Sequence, residues 1–138
     1  MKKIYILMIL AVVIVSCSGP KSMVKIEPAD NAQIQNDSTE YELITFDSAF
    51  ESWYSMHNSR ANYRSQEYYE SWNRQYVRQW NYLSMHSRRR SFFEPIVGYE
   101  YGTDYGLELN HKLFYYFQYV ERVLRIPILP NAPVGMIW

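Results

Sequence analysis

The feature that most constrains this chain is its load of aromatic rings. It has 4 Trp, 14 Tyr and 6 Phe, and all of them except Tyr5 and Trp138 fall between Tyr41 and Tyr119. So much ring surface in so short a stretch must be buried against itself, which excludes a disordered middle and implies a packed aromatic core. With 138 residues in all, there is room for one small domain.

The first residues stand apart from that domain. Met1, Lys2 and Lys3 precede an apolar run from Ile4 to Val15, interrupted only by Tyr5, and Ser16 and Cys17 follow. Two lysines, a short apolar stretch and small residues before a cleavage point make an export signal, too short for a comfortable membrane span. Ile14-Val15-Ser16-Cys17 resembles the bacterial lipobox, in which the cysteine sulfur receives a diacylglyceryl group carrying fatty acids such as palmitate. Cys17 is the only cysteine, so its acylation would leave no thiol for disulfides, metal thiolates or nucleophilic catalysis. The sequence therefore divides into a signal peptide at 1–16, a lipid-anchored cysteine with a polar tether at 17–40, a globular domain at 41–126 and a Pro-rich extended tail at 127–138.

Charge narrows the partners. The 14 basic and 14 acidic residues cancel, and loss of Lys2 and Lys3 with the leader makes the mature chain mildly acidic. This argues against nucleic acid as a partner, since phosphate binding relies on concentrated positive charge. The membrane is the partner implied at Cys17. No run of acidic residues follows that cysteine and no aspartate stands directly after it, so an outer-membrane position facing the periplasm is expected rather than the cell surface.

Within the domain the periodicity predicts a mainly α architecture of the α+β kind, about three amphipathic helices with a minor two-stranded element. Tyr41–Phe46 is β-rich, and Ser48 with Glu51 three residues on looks like a capping box for a short helix. Ser65 opens a longer helix to about Ser87, with Tyr68, Trp72, Tyr76, Trp80 and Leu83 along one seam. Residues 96–101 read as a second strand, able to pair with 41–46. A third helix runs from Leu107 to about Arg125, where Pro127 ends it.

Tyr41-Glu42-Leu43-Ile44, the stretch Tyr69 to Val77 with the repeated Trp72-Asn73 and Trp80-Asn81 pairs, and Tyr105–Asn110 followed by Leu113–Phe117 together resemble a domain-of-unknown-function family of short envelope lipoproteins from Bacteroidota. The resemblance covers residues 41–125. It implies an envelope location and carries no catalytic or binding residues with it.

Chemistry-bearing patterns are sparse. Glu108 and His111 have the spacing of a metal-binding helical pair, but they fall opposite the aliphatic stripe and read as a solvated face. His57 and His86 lie on other segments, and there is no phosphate loop or nucleophile elbow. The expectation is a non-enzymatic protein with no metal and no cofactor. Candidate surfaces remain. Phe114 and Tyr115 lie off the Leu109, Leu113, Val120 stripe and are expected to be exposed for an envelope protein partner in an assembly role; the basic loop Arg88, Arg89 and Arg90 adds a candidate surface for anionic lipid headgroups or lipopolysaccharide phosphates. Alternatively, Tyr99, Tyr101 and Tyr105, in a glycine-bearing loop, could stack on glycan or peptidoglycan.

Overall fold

In the computed structural model the residues described are 24–29, 40–88, 92–96 and 98–133. The elements are β1 (Val24–Pro28), β2 (Tyr41–Thr45), α1 (Ser48–His57), a 3-10 turn (Arg60–Asn62), α2 (Gln66–His86) and α3 (Gly106–Arg122). Three helices with a two-stranded antiparallel sheet match the fold class read from the sequence.

The sheet is not the one expected. β2 pairs with β1 in the register Val24↔Thr45 to Pro28↔Tyr41, so residues 24–28 belong to the domain, and the expectation of a tether running unbroken from 17 to 40 is corrected. The remainder of that stretch lies outside the described residues. Val24 and Ile26 alternate with exposed Lys25 and Glu27, which puts both aliphatic side chains into the core. Residues 98–101 form a bend and a turn instead of a strand. Gly98 has φ +90°, and a Cβ placed there would stand 2.5 Å from the Ile26 carbonyl oxygen. The loop thus crosses β1 so closely that only glycine fits.

α1 begins one residue earlier than a Ser48 cap implies. The Asp47 carboxylate accepts the amides of Ala49 and Phe50, both at 3.0 Å, while Glu51 is drawn aside to the Thr45 hydroxyl and to Lys112 Nζ, the latter at 2.9 Å. α2 is capped at Ser65 and Ser87, as its sequence predicts. Its buried residues are Tyr69, Asn73, Tyr76, Val77 and Trp80, with Tyr68, Trp72 and Leu83 only partly covered. The aromatic seam is therefore rotated slightly from the expected one.

α3 is the axis of the fold. It packs against α2, α1 and β2, and residues 109–120 are buried all round except for partly exposed Lys112. A helix with apolar and aromatic side chains on every face belongs in a core, and Leu113-Phe114-Tyr115-Tyr116-Phe117 supplies such a face in every direction. Phe114 meets Tyr68, Tyr69 and Tyr76 of α2, and Tyr115 meets Trp53 and Tyr54 of α1. Both rings are closed off from solvent. The expectation that they form an exposed interaction surface is thereby overturned.

The chain after α3 docks. Arg125 adopts φ 57° and reverses the backbone, and Ile128 is buried. Glu121 fastens this segment, its Oε1 accepting the amides of Ile128 and Leu129 at 3.1 and 2.8 Å while its Oε2 accepts the Tyr76 hydroxyl at 2.8 Å. Residues 125–129 carry no helix or strand and 130–131 form a turn, and Ile128, with Ile126 and Leu129 beside it, packs into the core, so this part of the tail is not an appendage. Residues 134–138 lie outside the described set.

Candidate functional site

The turn after residue 98 builds the most exposed aromatic feature. Gly102 takes φ +91°, which projects the turn outward, and Tyr101 at its apex is 84% exposed. Tyr105 behaves in the opposite way. It is buried, stacks on Tyr99 at 5.1 Å, donates to the Gly98 carbonyl and accepts the Glu100 amide. Tyr105 therefore holds the loop together and presents no face to a ligand, which corrects its place among the stacking candidates. Tyr99 is half-buried, and its hydroxyl donates to Asn110 Oδ1 at 3.2 Å. Burial, reinforced by Glu70, pushes that phenol up to about 12, so it stays neutral.

Between this loop and the first half of α2 lies a polar groove of about 280 Å³, lined by Gln66, Glu70, Arg74, Tyr99, Tyr101 and Asp104 among others. Gln66 Nε2 bridges its two walls, donating to Glu70 Oε1 at 2.8 Å and to Asp104 Oδ1 at 2.6 Å. Asp104 also accepts the amide of Gly106 at the start of α3. That backbone hydrogen bond, with the one from Gln66, holds the Asp104 carboxyl below its usual range. The Arg74 guanidinium lies 5.2 Å from the centre of the Tyr101 ring. Carboxylate acceptors, a guanidinium donor and an exposed ring converge here without a base–nucleophile pair. The arrangement suits a neutral, hydroxyl-rich ligand that can be gripped at its edges and stacked on one face.

A second feature escaped the sequence reading. His111, expected on a solvated face with Glu108, is fully buried, while Glu108 stays exposed and meets Arg60 at 3.4 Å. The imidazole lies between the rings of Tyr63 at 3.9 Å and Tyr115 at 4.2 Å, with Tyr69 edge-on at 5.1 Å. The Tyr54 hydroxyl stands 3.0 Å from Nδ1, and Nε2 has no hydrogen-bond partner among the described residues. Burial alone drives the imidazole down to about 4, so it is neutral near pH 7 and shares its one hydrogen bond with the Tyr54 hydroxyl. A testable consequence is acid sensitivity. Because the unfolded histidine protonates near 6.5 and the folded one only near 4, stability is full above pH 6.5. It falls by up to about 1.4 kcal/mol per pH unit down to 4 and then levels off. Urea midpoints measured against pH should show this fall in the native chain and a shallower one in His111→Phe. Equal slopes in the two would remove the histidine as the cause.

The basic loop is only partly visible. Arg88 is an exposed turn residue after α2, whereas Arg89, Arg90 and Cys17 lie outside the described residues. The repeated Trp-Asn pairs are structural fasteners. Trp80 Nε1 donates to the Glu94 carbonyl at 2.6 Å, Asn81 Oδ1 accepts the Ile96 amide at 3.0 Å, and Asn73 Nδ2 donates to the Asn110 carbonyl at 2.8 Å. Among the described residues no group of three or more His, Cys, Asp or Glu is placed to hold a metal ion, and no helix is long and apolar enough to cross a membrane.

The model of a family of unknown function (DUF6146) matches residues 4–130. No curated protein and no solved structure matches the chain.

Proposed function

We infer the function from geometry, because the chain belongs to that family of unknown function and inherits no activity from it. The reading is a lipid-anchored, non-enzymatic envelope protein, held through acylated Cys17 in the outer membrane on its periplasmic side, whose domain binds glycan, peptidoglycan being the envelope glycan within reach. The family match begins at residue 4 and so takes in the leader and Cys17 together with the domain, which supports treating the two as one unit. The observation that carries the binding reading is Tyr101, 84% exposed at the rim of a polar groove. Tyr101 is more exposed than the other exposed rings, Phe46 and Tyr82, and is the one set beside the groove; with Arg74 near its ring, a sugar offers it an apolar C–H face to stack on. An assembly contact through Phe114 and Tyr115 has no support, since neither ring reaches the surface.

The test is co-sedimentation of the mature chain with purified cell-wall sacculi. Removing the Tyr101 ring should cost about 1 kcal/mol of ring contact, which is roughly a fivefold loss of affinity. Tyr101→Ala should therefore bind about fivefold more weakly at unchanged thermal stability, and Glu70→Gln should weaken binding as well. Absence of binding by the native chain, or equal binding by all three, would remove the groove from consideration.

A further inference from the structure

The hairpin has a direction relative to the anchor. Only residues 18–23 separate Cys17 from β1 at Val24, and covalent geometry limits that connection to about 24 Å even when fully extended. This is shorter than the domain's own diameter of roughly 30 Å, so the end of the sheet that receives the leash cannot turn far from the surface holding it.

The register identifies what lies at that end. Val24 pairs with Thr45, which places Phe46 beside the point of entry, and Phe46 is 66% exposed. Asp47, next in sequence, has its carboxylate turned to the α1 amides of Ala49 and Phe50, and Lys25 is exposed one position along β1. At the opposite end Glu27 faces Glu42 across the strands and Glu40 precedes β2. These three carboxylates stand about 10–17 Å further along the hairpin, in the direction that an anionic lipid surface would repel.

We propose that the Val24–Thr45 end of the sheet lies against the lipid surface, with Phe46 seated among the headgroups as a second contact beside the acyl chains. The proposal rests on acylation of Cys17. An aromatic ring suits the interface between headgroup and hydrocarbon. At this end the Glu51 carboxylate is paired with Lys112 and that of Asp47 with the α1 amides, while Glu27, Glu42 and Glu40 lie at the far end. The groove at Tyr101 is then carried by a domain of fixed orientation rather than by one swinging on a long arm.

The experiment uses the full mature chain, acylated at Cys17, in vesicles of phosphatidylethanolamine and phosphatidylglycerol containing a doxyl-labelled lipid as quencher. Phe46→Cys and Glu42→Cys each introduce the only free thiol, which takes an environment-sensitive fluorophore. Lipid-borne quenching should be at least threefold stronger at position 46 than at 42. Equal quenching in chains that float with the vesicles would overturn the apposition and leave the anchor intact. If an unacylated Cys17→Ser chain floats as well as the acylated one, or the acylated chain does not float, the anchor reading fails and the proposal falls with it.

Discussion

A chain that begins at Glu40 should lose its cooperative thermal transition or melt at least about 12 °C lower than the full mature chain. The truncation removes β1, whose Val24 and Ile26 are buried in the core and are worth about 1.5–3 kcal/mol each in burial. It also strips the partner strand from β2, leaving its ladder amides and carbonyls unpaired, and takes away the backbone against which Gly98 is fitted. A total of about 3–6 kcal/mol is a large part of what a small domain possesses, and each kcal/mol moves the midpoint by roughly 4–8 °C. Circular dichroism melting of the two chains decides it. Midpoints within a few degrees of one another would mean that the hairpin is an ornament on a self-sufficient helical core.

The second large effect is expected at Trp80. Its indole is fully buried and touches Phe93 at 4.8 Å, Phe117 at 5.7 Å, and Phe92 and Tyr116 at 5.8 Å. Its Nε1–H also holds the Glu94 carbonyl. One side chain thus ties α2 both to α3 and to the segment that follows α2. Trp80→Ala should cost about 3–5 kcal/mol by urea denaturation, part of it from the orphaned carbonyl. Trp80→Phe should recover roughly half, because it restores ring contact without the donor. A loss under 1 kcal/mol for the alanine variant would show that the aromatic core repacks freely.

How much of this was legible in the sequence varied with the distance of the cause. α2 could be read almost to the residue because Ser65 and Ser87 cap it and its rings recur every four positions, all of which is local. The existence of three helices and a minor sheet followed from similar local signals. β1 was hidden in a polar stretch. Its Val24 and Ile26 do alternate with Lys25 and Glu27, but two aliphatics carry little weight until a partner strand is known, and pairing across residues 29–40 is not a local property. The same limit explains Phe114 and Tyr115. An aliphatic stripe along α3 is real, yet three neighbours surround that helix, and periodicity shows only that a face is apolar, not how many faces are covered. His111 was misplaced for the same reason.

The groove was half legible. Gly102 beside Tyr101 signalled an outward turn, and that ring is exposed. The opposite wall, Gln66, Glu70 and Arg74, comes from α2 and meets the loop only in the folded chain. Tyr105 looked equivalent to its neighbours in sequence, but the loop uses it as its own hydrogen-bonding centre.

The central claim, that the groove beside Tyr101 takes up glycan, is tested most directly by nuclear magnetic resonance. Soluble peptidoglycan fragments would be titrated into the isotope-labelled, unacylated Cys17→Ser chain. The account predicts saturable shifts concentrated on the amides of residues 99–104 and on the Arg74 side chain, absent in Tyr101→Ala. Shifts centred elsewhere, or none at millimolar fragment, would contradict it.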